Sequence, residues 1–208
     1  MKKIVALILA LSCIFAMSSC FFNKEEDPDK AFFDIVAATK PTEIKTLTYY
    51  TEEGKDPFNG KFETTVLNDS GDFIFKYTYT RIATFEDVGA EGVVIDGNIA
   101  SVSGMVYCKN GKYSTDGETW FSEVPSTIGN QPKLNLERSK LGEYVMNDAR
   151  TTLTATLTPD EAAEILGMYI DATSDITLVV STNGSYLTRV SVSYEKDGAS
   201  VTVNTSYS

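Results

Sequence analysis

Carboxylates are the side chains with the most chemistry to offer. Glu25-Glu26-Asp27, Glu52-Glu53 and Asp160-Glu161 are adjacent acids in a chain with 29 Asp and Glu against 18 Lys and Arg. Two acids facing each other across a sugar would make a glycosidase. These groups fall instead in a linker, at a turn and in the first turn of a helix, where solvation and the helix dipole account for them. Asn68-Asp69-Ser70-Gly71-Asp72 has a calcium loop's composition but not its ligand spacing or closing glutamate, and reads as a turn. Ser139 with Lys140 is not an S-x-x-K pair, and no G-x-S-x-G, Walker loop, CxxC or zinc pattern occurs. The chain has no histidine, which removes Ser-His-Asp and Cys-His nucleophiles and imidazole metal sites together. No enzymatic activity, metal or cofactor is expected.

Three cysteines remain. Met1-Lys2-Lys3 is a basic start, and Ile4 to Met17 is an apolar run of signal-peptide length, too short to span a bilayer. The run ends in Met17-Ser18-Ser19-Cys20, which resembles the bacterial lipobox, with Met17 in place of the usual leucine. That resemblance implies cleavage before Cys20 and a diacylglycerol thioether on its sulfur. Cys13, after Ala10-Leu11-Ser12, would have too short an apolar core. Losing residues 1–19 removes two lysines and no acids, so 16 basic residues against 29 acidic ones leave −13. Nucleic acid and anionic headgroups are poor partners for such a surface, and the lipid must do the tethering. Cys108 is then the one thiol left, so no internal disulfide can form. It sits in Gly104-Met105-Val106-Tyr107-Cys108-Lys109 with no neighbouring base to activate it.

The elements that must carry any site follow from periodicity. Residues 1–19 read as signal peptide, 20–27 as lipidated cysteine and acidic linker, and 28–208 as one domain. Asp27-Pro28 opens a short helix carrying Phe32, Phe33, Val36 and Ala37, stopped at Lys40-Pro41. From Thr42 the period becomes two. Strands are expected at 43–51, 61–68, 72–82, 92–96, 99–103, 105–109, 112–114 and 119–123, punctuated by Asp69-Ser70-Gly71, Asp96-Gly97, Asn110-Gly111 and Asp116-Gly117. Leu134, Leu141, Tyr144 and Val145 suggest a weaker helix despite Gly142. A strand at 151–157 follows. Thr158-Pro159-Asp160-Glu161 is a capping box opening a helix with Ala162, Ile165, Leu166 and Tyr169 on one face. Strands at 176–181, 186–195 and 199–206 end the chain. In the middle one, Tyr186, Thr188, Val190, Val192 and Tyr194 share a face opposite Leu187 and Arg189. The fold class expected is α+β: a curved antiparallel sheet, an unclosed half-barrel, with about three helices on its concave face.

Aromatic residues supply the one candidate site. Phe73, Phe75, Tyr77 and Tyr79 alternate on one face of a single strand. With Tyr107, Trp120, Val190 and Val192 they could line a hydrophobic cavity between sheet and helices, although a filled core would share the pattern.

The order of parts, with the hairpin Lys112-Tyr113-Ser114-Thr115-Asp116-Gly117-Glu118-Thr119-Trp120 and the turns Asn183-Gly184 and Asp197-Gly198, resembles the LolA-like and LprG/LppX-like lipoproteins. The resemblance implies an unclosed barrel whose mouth is plugged by helices, with lipid or lipidated cargo inside. It also implies a donor-engaging arginine, for which Arg81, Arg138, Arg150 and Arg189 all stand open. Together these readings predict a lipid-anchored protein on the extracytoplasmic face of the cell envelope. It would bind a hydrophobic or amphiphilic, lipid-like ligand without catalysis. The alternative is an envelope interaction module with a filled core that binds a protein or glycan. An apolar void of roughly 300 Å³ or more favours the first.

Overall fold

The computed structural model describes residues 27–51, 59–68, 71–128, 134–167 and 169–208. The signal sequence, Cys13, Cys20, Glu25, Glu26 and the Glu52-Glu53 turn lie outside the described residues. Residues 1–31 and 32–208 form separate compact units. Of the first, residues 27–31 are described: the Asp27 carboxylate accepts the Asp29 N–H (3.1 Å), and its carbonyl accepts the N–H of Lys30.

The unit from Phe32 onward is built on one 11-stranded antiparallel sheet. Its strands are β1 (Glu43–Thr51), β2 (Asn59–Leu67), β3 (Phe73–Ile82), β4 (Val93–Asp96), β5 (Ile99–Lys109), β6 (Lys112–Ser114), β7 (Tyr144–Met146), β8 (Thr152–Leu157), β9 (Ile176–Thr182), β10 (Leu187–Lys196) and β11 (Ala199–Tyr207). They run in the order β4-β5-β3-β2-β1-β11-β10-β9-β8-β7, with β6 on β5 beside β4. The first and last strands thus meet at the centre, Ile44 opposite Tyr207 and Thr51 opposite Ser200. β4 and β7 are left as the two ends of an unclosed sheet. Where a tight turn needs positive φ, the sequence supplies it: Asn110 and Gly111 (52° and 70°), and Asp197 and Gly198 (51° and 80°).

Two α-helices are found among the described residues, α1 (Lys30–Ala38) and α2 (Pro159–Leu166), where about three were expected. α2 keeps its capping box: Thr158 Oγ1 accepts the Glu161 N–H (3.3 Å), and Glu161 Oε2 accepts the Thr158 N–H (2.8 Å). Gly167, at φ 65°, closes it. The segment expected as the third helix makes a 3-10 turn over Arg138–Lys140 and then strand β7, with Tyr144 opposite Ala155. Gly142 weakens a helix there, and pairing with β8 satisfies the backbone instead.

Three other expectations change. Strands 99–103 and 105–109 are one strand, β5. Residues 119–123 make a single bridge, Tyr113 to Phe121, because the Asp116 carboxylate draws the Glu118 and Thr119 N–H groups (both 2.8 Å) into a wider loop. In β10 a bulge after Leu187 resets the alternation, so Leu187 is buried with Val190 and Val192, and Tyr186 lies before the strand, exposed.

The core is lopsided. One row on the inner face runs Leu153, Val180, Val190 and Thr205, then Thr46 and Glu63. Aliphatic residues thus give way to polar ones where β11 meets β1. Leu153, Leu178, Val180 and Ile176 pack fully buried against Phe32, Val36, Ala162 and Ile165 of the helices. On the other half the apolar cluster is smaller, made of Phe75, Val106 and Ile128.

Candidate ligand-binding site

The inner face of β10 and β11 meets α2 across an apolar cavity of about 50 Å³. Its walls come from Val190, Val192 and Tyr194 of β10, Val203, Thr205 and Tyr207 of β11, and Leu134, Leu166 and Ile170. Alternation along two paired strands brings the β-sheet residues to one face. Leu134 is set by a backbone bond: the Asn135 N–H donates to the carbonyl of Ile165 (2.6 Å), one of the carbonyls that α2 leaves open in its last turn. Lys140 reinforces that arrangement from beside it, 3.5 Å from Glu164 of α2 and 3.4 Å from Glu137.

A groove of about 490 Å³ lies next to the cavity, lined by Val36, Ala37 and Thr39 at the end of α1, by residues 134–137, and by Leu187 and Tyr207. Leu134 and Tyr207 belong to both spaces. α1 is fixed to the sheet by Thr39, whose hydroxyl donates to the Ile35 carbonyl and accepts the Leu187 N–H (both 2.8 Å).

The cavity's few polar atoms are hydroxyls. Thr205 pairs with Thr46 across the strands (3.2 Å). Burial pushes the Tyr207 hydroxyl up to about 12, and among the described residues it makes no hydrogen bond. Burial also raises Tyr194, with Tyr50 nearby adding to it. A desolvated tyrosine at neutral pH is a hydrogen-bond donor with no charge, suited to a carbonyl, carboxyl or hydroxyl oxygen on a ligand.

The residues expected to line one cavity are distributed over three places. Val190 and Val192 line the sheet–helix cavity. Phe73, Tyr107 and Trp120 line a separate groove of about 330 Å³ at the ends of β2, β3 and β5, together with Cys108. Phe75 is fully buried. Tyr77 and Tyr79 stack in a ladder with it, at centroid distances of 5.9 and 4.8 Å. The Tyr79 hydroxyl donates to Glu63 (3.0 Å), and the Lys61 ammonium lies 5.1 Å from its ring centre. Of the four arginines, Arg81 is committed to Asp87 and Arg189 to Asn204. Leu134, Tyr194 and Tyr207 are cavity residues beyond those expected, although the alternation of β10 already puts Tyr194 on the face of Val190 and Val192. The alternation of Val201, Val203, Thr205 and Tyr207 was the signal available for Tyr207.

Among the described residues no helix is long and apolar enough to cross a membrane, and no group of three acidic or cysteine side chains could hold a metal. No family model and no curated protein matches the chain. The crystal structure of LprF from Mycobacterium bovis is similar to it at a TM-score of 0.40 and 12% identity, over 86% of this chain and 90% of that one. At that score the likeness carries no weight for ligand, partner or location.

Proposed function

We propose that the protein is a lipid-anchored envelope protein that binds an amphiphilic molecule without catalysis. The ligand's apolar part enters between β10, β11 and α2, and its polar part lies in the adjoining groove. The observation that carries this reading is that an apolar cavity and an open groove share two wall residues, Leu134 and Tyr207. Alone, the enclosed void of about 50 Å³ is well below the size of a ligand pocket. An acyl chain would pass from the groove to the apolar wall by parting the Leu134 and Tyr207 side chains. Tyr207, a wall residue of both spaces, would lie near the meeting of chain and headgroup. The anchor is the diacylglycerol expected on Cys20, which would hold the site on the extracytoplasmic side of the membrane.

The small void also favours the second reading, an interaction module with a filled core. Native mass spectrometry on the full chain, released from micelles after incubation with palmitate, separates the two. The first reading expects a non-covalent adduct of palmitate mass, lost on denaturation and diminished by Leu134→Trp, which fills the junction. Absence of an adduct, or equal retention by Leu134→Trp, overturns it.

A further inference from the structure

The turn between β3 and β4 is fastened from inside and apolar outside. Asp87 is 3% exposed, and its carboxylate accepts both arms of the Arg81 guanidinium, the Thr84 N–H (2.7 Å) and the Thr84 hydroxyl (2.9 Å). Two residues earlier Phe85 is 93% exposed, and Val88 follows it into solvent. A phenylalanine turned almost wholly to water gains nothing from folding, yet the fork beneath fixes its backbone. Its backbone is thus pre-ordered for a contact outside the chain, which leaves only side-chain rotamer entropy to be lost when the ring is covered.

Beside the turn runs β4, an end strand of the sheet. Alternate residues of an edge strand point N–H and C=O groups away from their single partner, which templates a further strand. In β4 the Val93 N–H is already given to the Ala90 carbonyl (3.3 Å), so Ile95 is the residue whose N–H is left facing out. Val94 is 67% exposed on the outer face, with Ile82 exposed on the same face of β3. β4 is short, at four residues, but two other protections of an edge, lysine and proline, are missing: residues 82–108 contain no basic residue and no proline. The charges present are acidic, with Glu86, Glu91 and Asp96 exposed around the apolar residues.

We propose that this corner docks an extended cationic polypeptide segment, which adds as a strand to β4, covers Phe85 with an apolar side chain and sets Lys or Arg against Glu86, Glu91 and Asp96. The charges select this occupant. A second copy would bring the same acids against themselves. A membrane surface would leave the edge backbone groups without partners and meet an anionic rim. The inference does not depend on the cavity, since Phe85 and β4 are absent from its walls.

The test uses the full chain in zwitterionic micelles and two labelled octapeptides, alternating Lys-Val and alternating Glu-Val. The Lys-Val peptide should saturate, weaken as salt is raised, and slow amide exchange at Ile95 of β4, while the Glu-Val peptide should not bind. Phe85→Ser, which leaves the charge unchanged, should weaken Lys-Val binding about tenfold or more. Glu91→Lys should weaken it while leaving Phe85 in place. Equal binding to Phe85→Ser, equal binding of the two peptides, or protection elsewhere than β4 overturns the proposal. Concentration-dependent dimerisation, or binding to phosphatidylglycerol vesicles, that Phe85→Ser abolishes while peptide binding is unaffected reassigns the patch and overturns it as well.

Discussion

The Tyr77 ring lies over Gly104, its directly paired residue across β3 and β5, in the space that a β-carbon on Gly104 would occupy. The ring has little freedom to yield, because it stacks between Phe75 and Tyr79. Gly104→Ala should therefore cost about 1–3 kcal/mol, as overpacking does. Most of that should vanish in a Tyr77→Ala background. Urea unfolding of the four variants in a double-mutant cycle checks both, and equal costs in the two backgrounds would show the ring is not the cause.

That glycine also shows where sequence reading stops. Gly104 broke the alternation and suggested two strands, whereas it exists so that one strand can pass beneath a tyrosine from its neighbour. The bulge at Leu187 has the same character: nothing local marks an extra residue, yet it moves Leu187 into the core. Local chemistry was legible. The Thr158 and Glu161 box, the Asn110-Gly111 and Asp197-Gly198 turns and most of the period-two strands appear where side chains and φ preferences placed them, residues 119–123 excepted. The cavity was half legible, since Val190 and Val192 declared their face. Leu134 joins them because the N–H of its neighbour Asn135 donates to the Ile165 carbonyl, a bond with no sequence signature.

Thr39 and Leu187 are 148 positions apart and share one hydroxyl. Thr39→Val keeps the shape but leaves the buried Leu187 N–H without its acceptor. An unsatisfied buried donor costs about 1–3 kcal/mol. The loss should appear in denaturant unfolding and as faster exchange of the Leu187 amide. An unchanged exchange rate would mean another acceptor takes over.

Asp87 predicts an acid-sensitive turn. The Arg81 fork, and then the Thr84 N–H, hold its carboxyl at about 2, below the ordinary 3.8. A carboxyl lowered in the folded state stabilises fully above its unfolded value and loses that contribution as pH falls. Asp87→Asn should therefore be less stable than wild type above about pH 5, with the gap closing between 3.8 and about 2. Thermal unfolding across that range reads the gap. A gap that stays constant down to pH 2 would assign the loss to packing.

Cys108 is buried, and desolvation, helped by nearby Asp72, raises its thiol above the ordinary value. Thiolate is the reactive form, so alkylation of the folded chain at neutral pH should be slow and should accelerate sharply in denaturant. Rapid labelling under native conditions would mean that the groove beside Phe73 and Trp120 opens onto the sulfur.

Tyr207 gives the cavity a spectroscopic handle. Its ionisation is pushed up to about 12 by burial, from an ordinary 10.0. Because the folded value is raised, its contribution to stability is complete below 10 and is lost as pH rises toward 12. Ultraviolet difference titration of wild type against Tyr207→Phe should isolate one late-ionising phenol. A bound amphiphile that accepts its hydrogen bond should move that ionisation higher still. Tyr207→Phe should weaken such a ligand by about 2- to 13-fold, the worth of one net hydrogen bond of roughly 0.5–1.5 kcal/mol. If palmitate binds both forms equally and leaves the titration unmoved, the ligand lies elsewhere than the junction that Leu134 and Tyr207 share.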